Sequence, residues 1–300
     1  VAELARAADG IILGPVSHNG YPPVSRGGIN PSGFLRRDLD LYANVRPAHT
    51  RAGLPSPTGR KMDLVIMREN TEGFYADRTM YMGSGEIMPT PDLALATRKV
   101  TAQGSQRIAR AAFNLAMQRR RKVTAVHKAN VLRVSDGLFL SEVRKVGETY
   151  PEVEYDEVLV DAMAAYLIRN PEPYDVIVTS NMFGDILSDE ASELAGGLGI
   201  AASLNAGDNH AMAQAQHGSA PDVAGKNVAN PTALIGSVAM LLRWLADRHE
   251  AEAFGHAAEA IEVALGETIA QKETRTADLG GVLSTSEFTD CVIDWIETLG

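Results

Sequence analysis

The sequence predicts an α/β protein, because short apolar runs alternate with amphipathic stretches through most of its 300 residues. Residues 174–180 form a β-branched run that is typical of a buried strand. Residues 105–120 carry apolar side chains at helical spacing, with Ile108, Ala112 and Leu115 on one face. This alternation favours a largely parallel sheet that is covered by helices on both sides.

The individual elements follow from the same patterns, taken in chain order. Apolar or β-branched runs predict strands at residues 10–14, 42–46, 62–67, 123–127, 154–160 and 174–180, with a further candidate strand at 97–101. Helical periodicity and Gly or Pro stops predict helices at 36–41, 105–120, 139–146, 161–169, 184–198, 232–248, 251–271 and 286–298. Residues rich in Gly, Pro, Ser and Asn predict loops at 15–34, 48–61 and most of 203–231, and a projecting arm at 76–92. Pro47 is expected to end the second strand.

Composition excludes several classes of protein. The net charge of −10 argues against nucleic acid or a membrane surface as a partner. One cysteine, Cys291, cannot form an internal disulfide and fits a reducing, cytoplasmic environment. No apolar run approaches the length of a membrane span. Because the chain opens without Met on what reads as the tail of a helix, we expect a segment of the natural protein to precede Val1.

Acidic side chains follow two of the predicted strands. Asp185 and Asp189 lie four residues apart on one helical face, which places their Cβ atoms roughly 5–6 Å apart. A hard divalent cation removes the repulsion between two such carboxylates and gains oxygen ligands. Asp161, at the end of another strand, would complete a magnesium or manganese site. The alternative is a solvated acidic helix face.

Three arginines lie near the ends of early elements, and Arg is the residue that grips a carboxylate through two parallel hydrogen bonds. Arg36, Arg46 and Arg68 in an acidic protein therefore favour a di- or tricarboxylate ligand, although a single Arg is usually a surface residue. Lys128 directly follows a strand and is a candidate general base, with a surface lysine as the alternative. Tyr75 is a candidate proton donor, or else a half-buried structural tyrosine.

The motifs of several well-known enzyme classes are absent from the sequence. There is no G-x-S-x-G elbow, no P-loop, no G-x-G-x-x-G fingerprint and no zinc spacing among the histidines. The residues by themselves predict an α/β enzyme that uses a divalent metal and binds a polycarboxylate.

Six segments resemble a known family in the order in which the family carries them. They are residues 35–36 with 40–47, 68–75, 128–131, 160–163, 181–189, and 217–222 with 229–231. The resemblance is to the metal-dependent decarboxylating β-hydroxyacid dehydrogenases, the isocitrate and isopropylmalate dehydrogenase family. The acidic motif Asn181-Met182-Phe183-Gly184-Asp185-Ile186-Leu187-Ser188-Asp189 is the most specific of these segments.

The resemblance implies a two-domain, isopropylmalate dehydrogenase-like α/β fold with mixed sheets flanked by helices, which is not a Rossmann fold. Residues 1–41 and 196–300 would form the cofactor-side domain. Residues 42–195 would form the central domain for substrate, metal and dimerisation. The 76–92 arm would interlock with its mate in a homodimer with shared active sites.

The resemblance also implies roles for individual residues. Arg36, Arg46 and Arg68 would clamp the substrate carboxylates, beside the substrate-selecting position Ser32. Tyr75 would protonate the carbon that loses CO₂.

The metal and the base would involve both subunits. Asp185 and Asp189 would hold Mg²⁺ or Mn²⁺, with Asp161 reaching in from the second subunit. Lys128, also from that subunit, would take the hydroxyl proton of the substrate.

The implied cofactor is NAD. Asn130 would approach its nicotinamide end, and the adenosine end would be bound by His217, Gly218, Ser219, Ala220, Asp222 and Asn230. NADP-preferring relatives carry a basic residue at the position of Asp222. An acidic residue there suits ribose hydroxyls and repels a 2′-phosphate.

Three departures from the family pattern bear on the substrate and on the start of the chain. The family's opening strand, with its glycine-rich turn, is absent before Val1. The position three before His217 is acidic in isopropylmalate enzymes and is Gln214 here. Isopropylmalate enzymes place leucines where Ser32 and Gly33 stand, so a small or polar substituent, as in isocitrate or unsubstituted malate, is favoured.

Several functions nevertheless stay open at this point. Selectivity for one branched alkyl group amounts to only about 1–3 kcal/mol, so 3-isopropylmalate is still a candidate substrate. D-malate or tartrate dehydrogenase activity is an alternative within the family. A non-catalytic regulatory subunit of a hetero-oligomeric isocitrate dehydrogenase and a metal-dependent hydrolase also stay open.

Overall fold

The computed structural model describes residues 2–17, 20–22, 26–75 and 85–299. The helices are α1 Ala2–Ala7, α2 Pro31–Asp38, α3 Ala102–Met117, α4 Ser135–Gly147, α5 Val160–Arg169, α6 Asn181–Ala195, α7 Thr232–His249, α8 Glu252–Ala270 and α9 Thr285–Leu299. The strands are β1 Ile11–Ile12, β2 Ala43–His49, β3 Asp63–Glu69, β4 Glu86–Thr90, β5 Leu93–Ala96, β6 Lys122–His127, β7 Glu154–Leu159, β8 Val176–Thr179, β9 Leu204–Ala206 and β10 Ala211–Ala213.

Eight of these strands form one sheet in the order β1-β10-β9-β2-β3-β8-β6-β7. The half from β3 to β7 is parallel, as expected from the alternation of strands and helices. The other half is mixed, because β2 runs antiparallel to both β3 and β9 and β9 runs antiparallel to β10. The predicted mixed α/β fold is therefore confirmed, whereas a largely parallel sheet describes only half of it.

The two faces of β3 show why this sheet is covered on both sides. Val65 and Met67 point into a core formed with α3 and α4, whereas Leu64 and Ile66 point into a second core with α5 and α6. Because successive side chains of a strand alternate between faces, a continuous apolar run fills both cores. Phe113, on α3, is fully buried in the first of them.

Several predicted boundaries were wrong for identifiable reasons. Helix α2 begins at Pro31 rather than Arg36, because the Asn30 side chain caps it by accepting a hydrogen bond from Gly33 N at 3.2 Å. Strand β2 continues through Pro47 to His49. Since β9 pairs with β2 only as far as Val45, Pro47 lies where that side of β2 has no partner strand, and a missing N–H costs little there.

Further boundaries differ by a few residues. Helix α3 begins at residue 102 and ends at 117, and α6 begins at residue 181 instead of near 184. Residues 97–101 form no strand apart from a bridge between Gly73 and Lys99. The segment expected to be mostly loop contains the short strands β9 and β10.

The projecting arm was predicted at residues 76–92, of which 76–84 lie outside the described residues. The part that follows is a hairpin, because β4 and β5 pair with each other in a separate two-stranded sheet. All residues of both strands are exposed in the single chain. The proposed domain division near residues 41 and 196 stays a prediction. Over the described ranges, no helix has the length and apolar content required to cross a bilayer.

Candidate active site

The carboxyl edge of the parallel half-sheet carries the acidic and basic residues that the sequence marks as candidates. Arg68 lies at the end of β3, and the turn after β8 leads directly into α6 with Asp185. Lys128 follows β6, and Asp161 follows β7. Because parallel strands end at the same edge, residues far apart in sequence come to lie along one line.

A cleft of about 340 Å³ opens beside the ends of β3 and β8. Nine of the predicted site residues line it: Ser32, Arg36, Arg46, Arg68, Tyr75, Asp185, Asp189, His217 and Gly218. Gln214 and Gln216 complete its polar lining. The cleft thus contains the three arginines, two of the three proposed metal ligands, the proposed acid and the start of the proposed cofactor segment.

Arg68 is buried at the bottom of this cleft, and hydrogen bonds hold its guanidinium in place. Its Nε and Nη2 donate to Asn181 Oδ1 at 3.0 and 2.7 Å, and its Nη1 donates to Asp185 Oδ1. Gly184 permits this arrangement, since a Cβ there would lie 2.7 Å from both Cβ and Cγ of Arg68. Burial and the neighbouring Arg46 lower the pKa of Arg68 to about 10, so it stays charged at neutral pH.

Arg46 joins β2 to the acidic helix α6. Its Nε donates to Asn44 Oδ1 at 2.6 Å and its Nη1 donates to Ser188 Oγ at 2.7 Å. The same Nη1 lies 3.1 Å from Asp185 Oδ1 and 3.4 Å from Asp189 Oδ1. Burial lowers the pKa of Arg46, and the two aspartates oppose that effect.

The Asp185 carboxylate connects the arginines with the candidate proton donor. Tyr75 donates its hydroxyl to Asp185 Oδ2 at 3.1 Å, and its ring lies against the guanidinium of Arg68. Burial acts to raise the pKa of Asp185, but Arg68 and Arg46 outweigh it, so that pKa is lowered. The carboxylate is therefore ionised at neutral pH and available to a cation.

Arg36 lies on the opposite wall, on α2. Its Nη1 donates to Asn70 Oδ1 at 3.2 Å, and its Nη2 donates to Gln214 Oε1 at 3.3 Å. The same Gln214 oxygen accepts from Ser32 Oγ at 2.9 Å. Three arginines and two aspartates therefore leave the cleft with an excess of positive charge, which suits an anionic ligand with several carboxylates.

Lys128 and Asp161 lie outside this cleft and contact each other. Lys128 Nζ donates to Asp161 Oδ1 at 2.5 Å, which lowers the pKa of the Asp161 carboxyl. The Lys128 backbone N–H donates to the buried carboxylate of Asp136, which also pairs with Arg98. The lysine is therefore held in place by the start of α4.

The strand ends alone predicted that Asp161, Asp185 and Asp189 would form one metal site within a chain. The described residues do not show this arrangement. Among the described residues, no group of three or more His, Cys, Asp or Glu side chains is arranged to hold a metal. The reason is that Asp161 follows β7, at the edge of the sheet, whereas Asp185 follows β8, and β6 lies between those strands. The arrangement implied by the resemblance, with Asp161 supplied by a partner, stays a prediction.

The donor chemistry of the cleft fits Mg²⁺ or Mn²⁺. Asp185 and Asp189 lie one helical turn apart on α6. Their carboxylate oxygens are the kind of ligand that hard divalent cations prefer. Asp189 is half exposed, so one side of it faces the cleft and solvent. Its Oδ1 accepts from Gln216 Nε2 at 2.9 Å.

The proposed cofactor segment leaves the cleft and runs over the surface. His217 and Gly218 line the cleft, whereas Ala220 and Asp222 are exposed beyond it. Ala220 has a left-handed backbone with φ of 41°, and a short 3₁₀ turn follows at Pro221–Val223. An exposed segment that starts at the cleft fits a dinucleotide whose reactive end enters the cleft.

The remaining proposed cofactor residues are placed differently. Asn230 Oδ1 accepts from Thr232 N, at the start of α7, at 3.0 Å, while its Nδ2 donates to Asp278 Oδ2 at 3.0 Å. Asn130 is exposed in the turn after Lys128, and neither it nor Ser219 lines the cleft. A role for them in cofactor binding stays a prediction.

The sequence argument missed the neutral residues that hold the charged ones. Asn44, Asn181 and Ser188 orient the arginines, and Gln216 orients Asp189. A signal for Asn44 was present, since it stands two residues before Arg46 and therefore on the same face of β2. No local pattern marks Gln216, because its partner lies on another element.

Comparison with known proteins agrees with this geometry. Residues 1–292 match the isocitrate/isopropylmalate dehydrogenase family. An isocitrate/homoisocitrate dehydrogenase of Thermus thermophilus is 45% identical over 269 residues, which are 89% of this chain and 75% of that protein. A 3-isopropylmalate dehydrogenase of Methanothermobacter thermautotrophicus is 46% identical over 254 residues, which are 84% of this chain and 72% of that protein.

The fold is also shared with a solved structure. Isocitrate dehydrogenase from Methylococcus capsulatus matches with a TM-score of 0.85 at 39% identity, covering 98% of this chain and 83% of that one. The resemblance read from the six sequence segments and the predicted fold class are both confirmed. The chain belongs to the isocitrate/isopropylmalate dehydrogenase family.

Proposed function

We propose that this chain is an NAD-dependent enzyme that oxidises and decarboxylates a 3-substituted malate of the isocitrate or 3-isopropylmalate type, using Mg²⁺ or Mn²⁺. The observation that carries the proposal is the single cleft in which Arg36, Arg46 and Arg68 surround Asp185 and Asp189. A substrate with two or three carboxylates matches the excess of positive charge there.

The chain's own residues bind and orient the substrate and move its protons. The arginines would hold the carboxylates and so fix the orientation of the substrate in the cleft. Lys128 of the partner subunit would take the C2 hydroxyl proton as C2 is oxidised. The C3 carboxylate then leaves as CO₂, and the Tyr75 hydroxyl donates a proton to C3.

The metal and the cofactor supply chemistry that side chains lack. Asp185 and Asp189, with the partner's Asp161, would hold the cation, which would supply Lewis-acid polarisation of the substrate oxygen. NAD⁺, when bound, would accept the hydride that leaves C2. The exposed carboxylate of Asp222 supports NAD over NADP, because it would repel a 2′-phosphate.

We also propose that two copies of the chain form a homodimer, in which each cleft is completed by the Lys128 and Asp161 of the other copy. The support is that both residues lie outside their own cleft. Exposed apolar side chains at Ile87, Met88 and Leu95 of the hairpin provide surface that association would bury. The single cysteine agrees with a cytoplasmic location.

The assay is NADH formation by the purified full chain with isocitrate, homoisocitrate, 3-isopropylmalate, D-malate and tartrate, each with Mg²⁺ or Mn²⁺. We expect turnover of at least one 3-substituted malate, loss of activity with EDTA, and recovery when metal is added back. Turnover of only D-malate or tartrate would favour a D-malate or tartrate dehydrogenase. Ligand binding without turnover on any of the five would favour a regulatory subunit and contradict the proposal.

A further inference from the structure

Asp136 is a buried carboxylate that contacts the backbone of the proposed base. It lies in the first turn of α4, and its side chain is only 1% exposed. Its Oδ2 accepts the backbone N–H of Lys128 at 2.5 Å, and its Oδ1 accepts from Arg98 Nη1. Asp136 does not line the cleft, so this buried charge has no direct part in the proposed proton transfers.

Arg98 holds the other side of the Asp136 carboxylate. The guanidinium is itself buried, and its Nη1 also donates to Ser135 Oγ at 2.9 Å. Its Nη2 donates to Ser180 Oγ at 3.0 Å, and its Cζ lies 5.3 Å from the ring centroid of Phe183. Ser135 begins α4 and Ser180 directly precedes α6. Arg98 therefore connects the carboxylate to the starts of two helices, which limits rotation of the Asp136 side chain.

The peptide groups of Lys128 are held from both sides. Its N–H donates to Asp136, while its C=O accepts from Val131 N at 3.0 Å and from Leu132 N at 2.8 Å. A buried ion pair such as that of Asp136 with Arg98 adds little net stability over apolar residues of the same volume. What the pair does provide is a fixed direction, because charged hydrogen bonds form along defined lines.

We propose that Asp136, fixed by Arg98, is a positioning residue for Lys128. By holding the Lys128 N–H, Asp136 sets the point from which the lysine side chain extends towards the cleft of the partner subunit. The inference rests on the proposed function, in which Lys128 takes the hydroxyl proton of the substrate. Proton transfer depends steeply on the placement of the base, and a displacement of about 1 Å can lower a rate about a hundredfold.

Asp136→Asn tests the proposal with little change in volume. The amide has one acceptor oxygen, so it can serve Lys128 or Arg98 but not both, and its Nδ2 then faces another donor. We expect kcat for the best of the five assay substrates to fall about tenfold to a hundredfold. KM and the Kd of NADH should change less than about twofold, because the cleft and the proposed cofactor segment keep their residues. An unchanged kcat would overturn the inference.

Asp175→Asn is the matched control, because Asp175 is an equally buried aspartate with the same kinds of partner. It accepts from Arg119 Nε at 2.7 Å and from the backbone N–H of Arg120 at 2.8 Å. It directly precedes β8 and so lies at the edge of the sheet opposite the cleft. Urea unfolding should show a similar loss of stability in both variants, whereas only Asp136→Asn should lose kcat. An equal loss of kcat in both would mean that Asp136 acts only through the stability of the fold.

Arg98→Lys keeps the inference testable if Asp136→Asn does not fold. A single ammonium group retains the positive charge but does not reproduce the planar fork that bonds Asp136, Ser135 and Ser180 together. The carboxylate is then held less firmly, and we expect kcat to fall about threefold to tenfold with KM little changed. A wild-type kcat in this variant would overturn the inference.

Hydrogen exchange separates the inference from the proposed function, because it needs no turnover. Mass spectrometry with fragmentation to single residues follows the Lys128 amide hydrogen. It should exchange about tenfold or more faster in Asp136→Asn than in the wild type, and at the wild-type rate in Asp175→Asn. Faster exchange without NADH formation by the wild type would contradict the proposed reaction and support the placement of Lys128 by Asp136. Equal exchange in all three proteins would overturn the inference whatever the turnover.

Discussion

At the scale of single residues, the cleft is an assembly of charges that neutral neighbours hold in place. Arg46 and Arg68 are both buried and lie close to each other, which is unfavourable unless anions compensate. Asp185 contacts both guanidinium groups and so supplies most of that compensation. When a cation and a polycarboxylate substrate bind, Asp185 would pair with the cation and the two arginines would pair with the substrate carboxylates. No buried charge would then be left unpaired.

Asp185→Asn should destabilise the metal-free protein at neutral pH by about 1–3 kcal/mol, because two buried guanidinium groups lose their shared anionic partner. The folded-state pKa of Asp185 lies below its ordinary value, so its stabilising effect is present above about pH 3.9 and is lost as the pH falls through the folded pKa. Urea unfolding of both proteins at pH 7 and in acid measures the difference. If the difference in the free energy of unfolding between the two proteins grew as the pH was lowered, the assigned pairing would be contradicted.

Asp222→Lys should shift cofactor preference. The exposed lysine would attract a 2′-phosphate, whereas the present carboxylate repels it. We expect kcat/KM for NAD⁺ to fall and kcat/KM for NADP⁺ to rise, changing their ratio by about tenfold or more. Unchanged kinetics with both cofactors would mean that the adenosine ribose does not lie at this position. Glu250→Lys, an exposed charge reversal outside the proposed cofactor segment, is the control.

At the scale of elements, the close approach of α6 to β3 positions the acidic motif. Gly184 lies against the Cβ and Cγ atoms of Arg68, and the same helix supplies Asn181, Asp185 and Ser188 to the arginines. One helix therefore sets the geometry of both guanidinium groups. This explains why the nine-residue motif contains small and amide residues as well as the two aspartates.

Gly184→Ala should separate α6 from β3, because its Cβ would lie 2.7 Å from inner atoms of the Arg68 side chain that cannot move aside. We expect a loss of about 1–3 kcal/mol in the free energy of unfolding and a raised KM for substrate. Gly137→Ala is the control, since this glycine is also helical but a Cβ there meets nothing within 4 Å. The control should be neutral or slightly stabilising.

Much of the fold could be predicted at this scale because it depends on local pattern. The apolar run of β3 and the helical periodicity of α3 can each be recognised from a short stretch of sequence. The errors arose where distant residues decide the outcome. Pro47 is tolerated in β2 because of where β9 ends. Strands β9 and β10 form because they pair with each other, while β9 also pairs with β2 and β10 with β1.

The site was predictable to a similar extent and for similar reasons. Charged residues at strand ends could be found from the sequence, since topology brings the ends of parallel strands to one edge. Most of the neutral residues that hold these charged side chains were not found, although the position of Asn44 on the same face of β2 as Arg46 was a usable signal. Gln216 acquires its role only through a contact with Asp189 on α6, which no local pattern encodes.

At the scale of the whole molecule, the cleft of a single chain contains an incomplete set of the proposed catalytic groups. The cleft contains the arginines, Asp185, Asp189 and Tyr75, while Lys128 and Asp161 lie beyond it and pair with each other. In the proposed two-fold dimer, each cleft would receive a lysine and an aspartate from the partner subunit. The proposed activity is then a property of the dimer.

Lys128→Met should abolish turnover while NADH binding is retained, because the variant loses the proposed base but keeps the cofactor segment. Steady-state assays and NADH fluorescence titration measure the two properties separately. Lys272→Met, at an exposed position outside the cleft and the proposed cofactor segment, is the control and should keep its activity. An active Lys128→Met enzyme would contradict the assigned base.

The most direct test of shared active sites mixes two inactive variants, Lys128→Met and Asp185→Asn, under conditions that exchange subunits. A mixed dimer contains one cleft with its own Asp185 and the partner's Lys128, both intact, and one cleft that lacks both. Random exchange should therefore restore about a quarter of wild-type activity in a symmetric dimer. If subunits demonstrably exchange and no activity returns, each chain must use its own Lys128, and the shared site is contradicted.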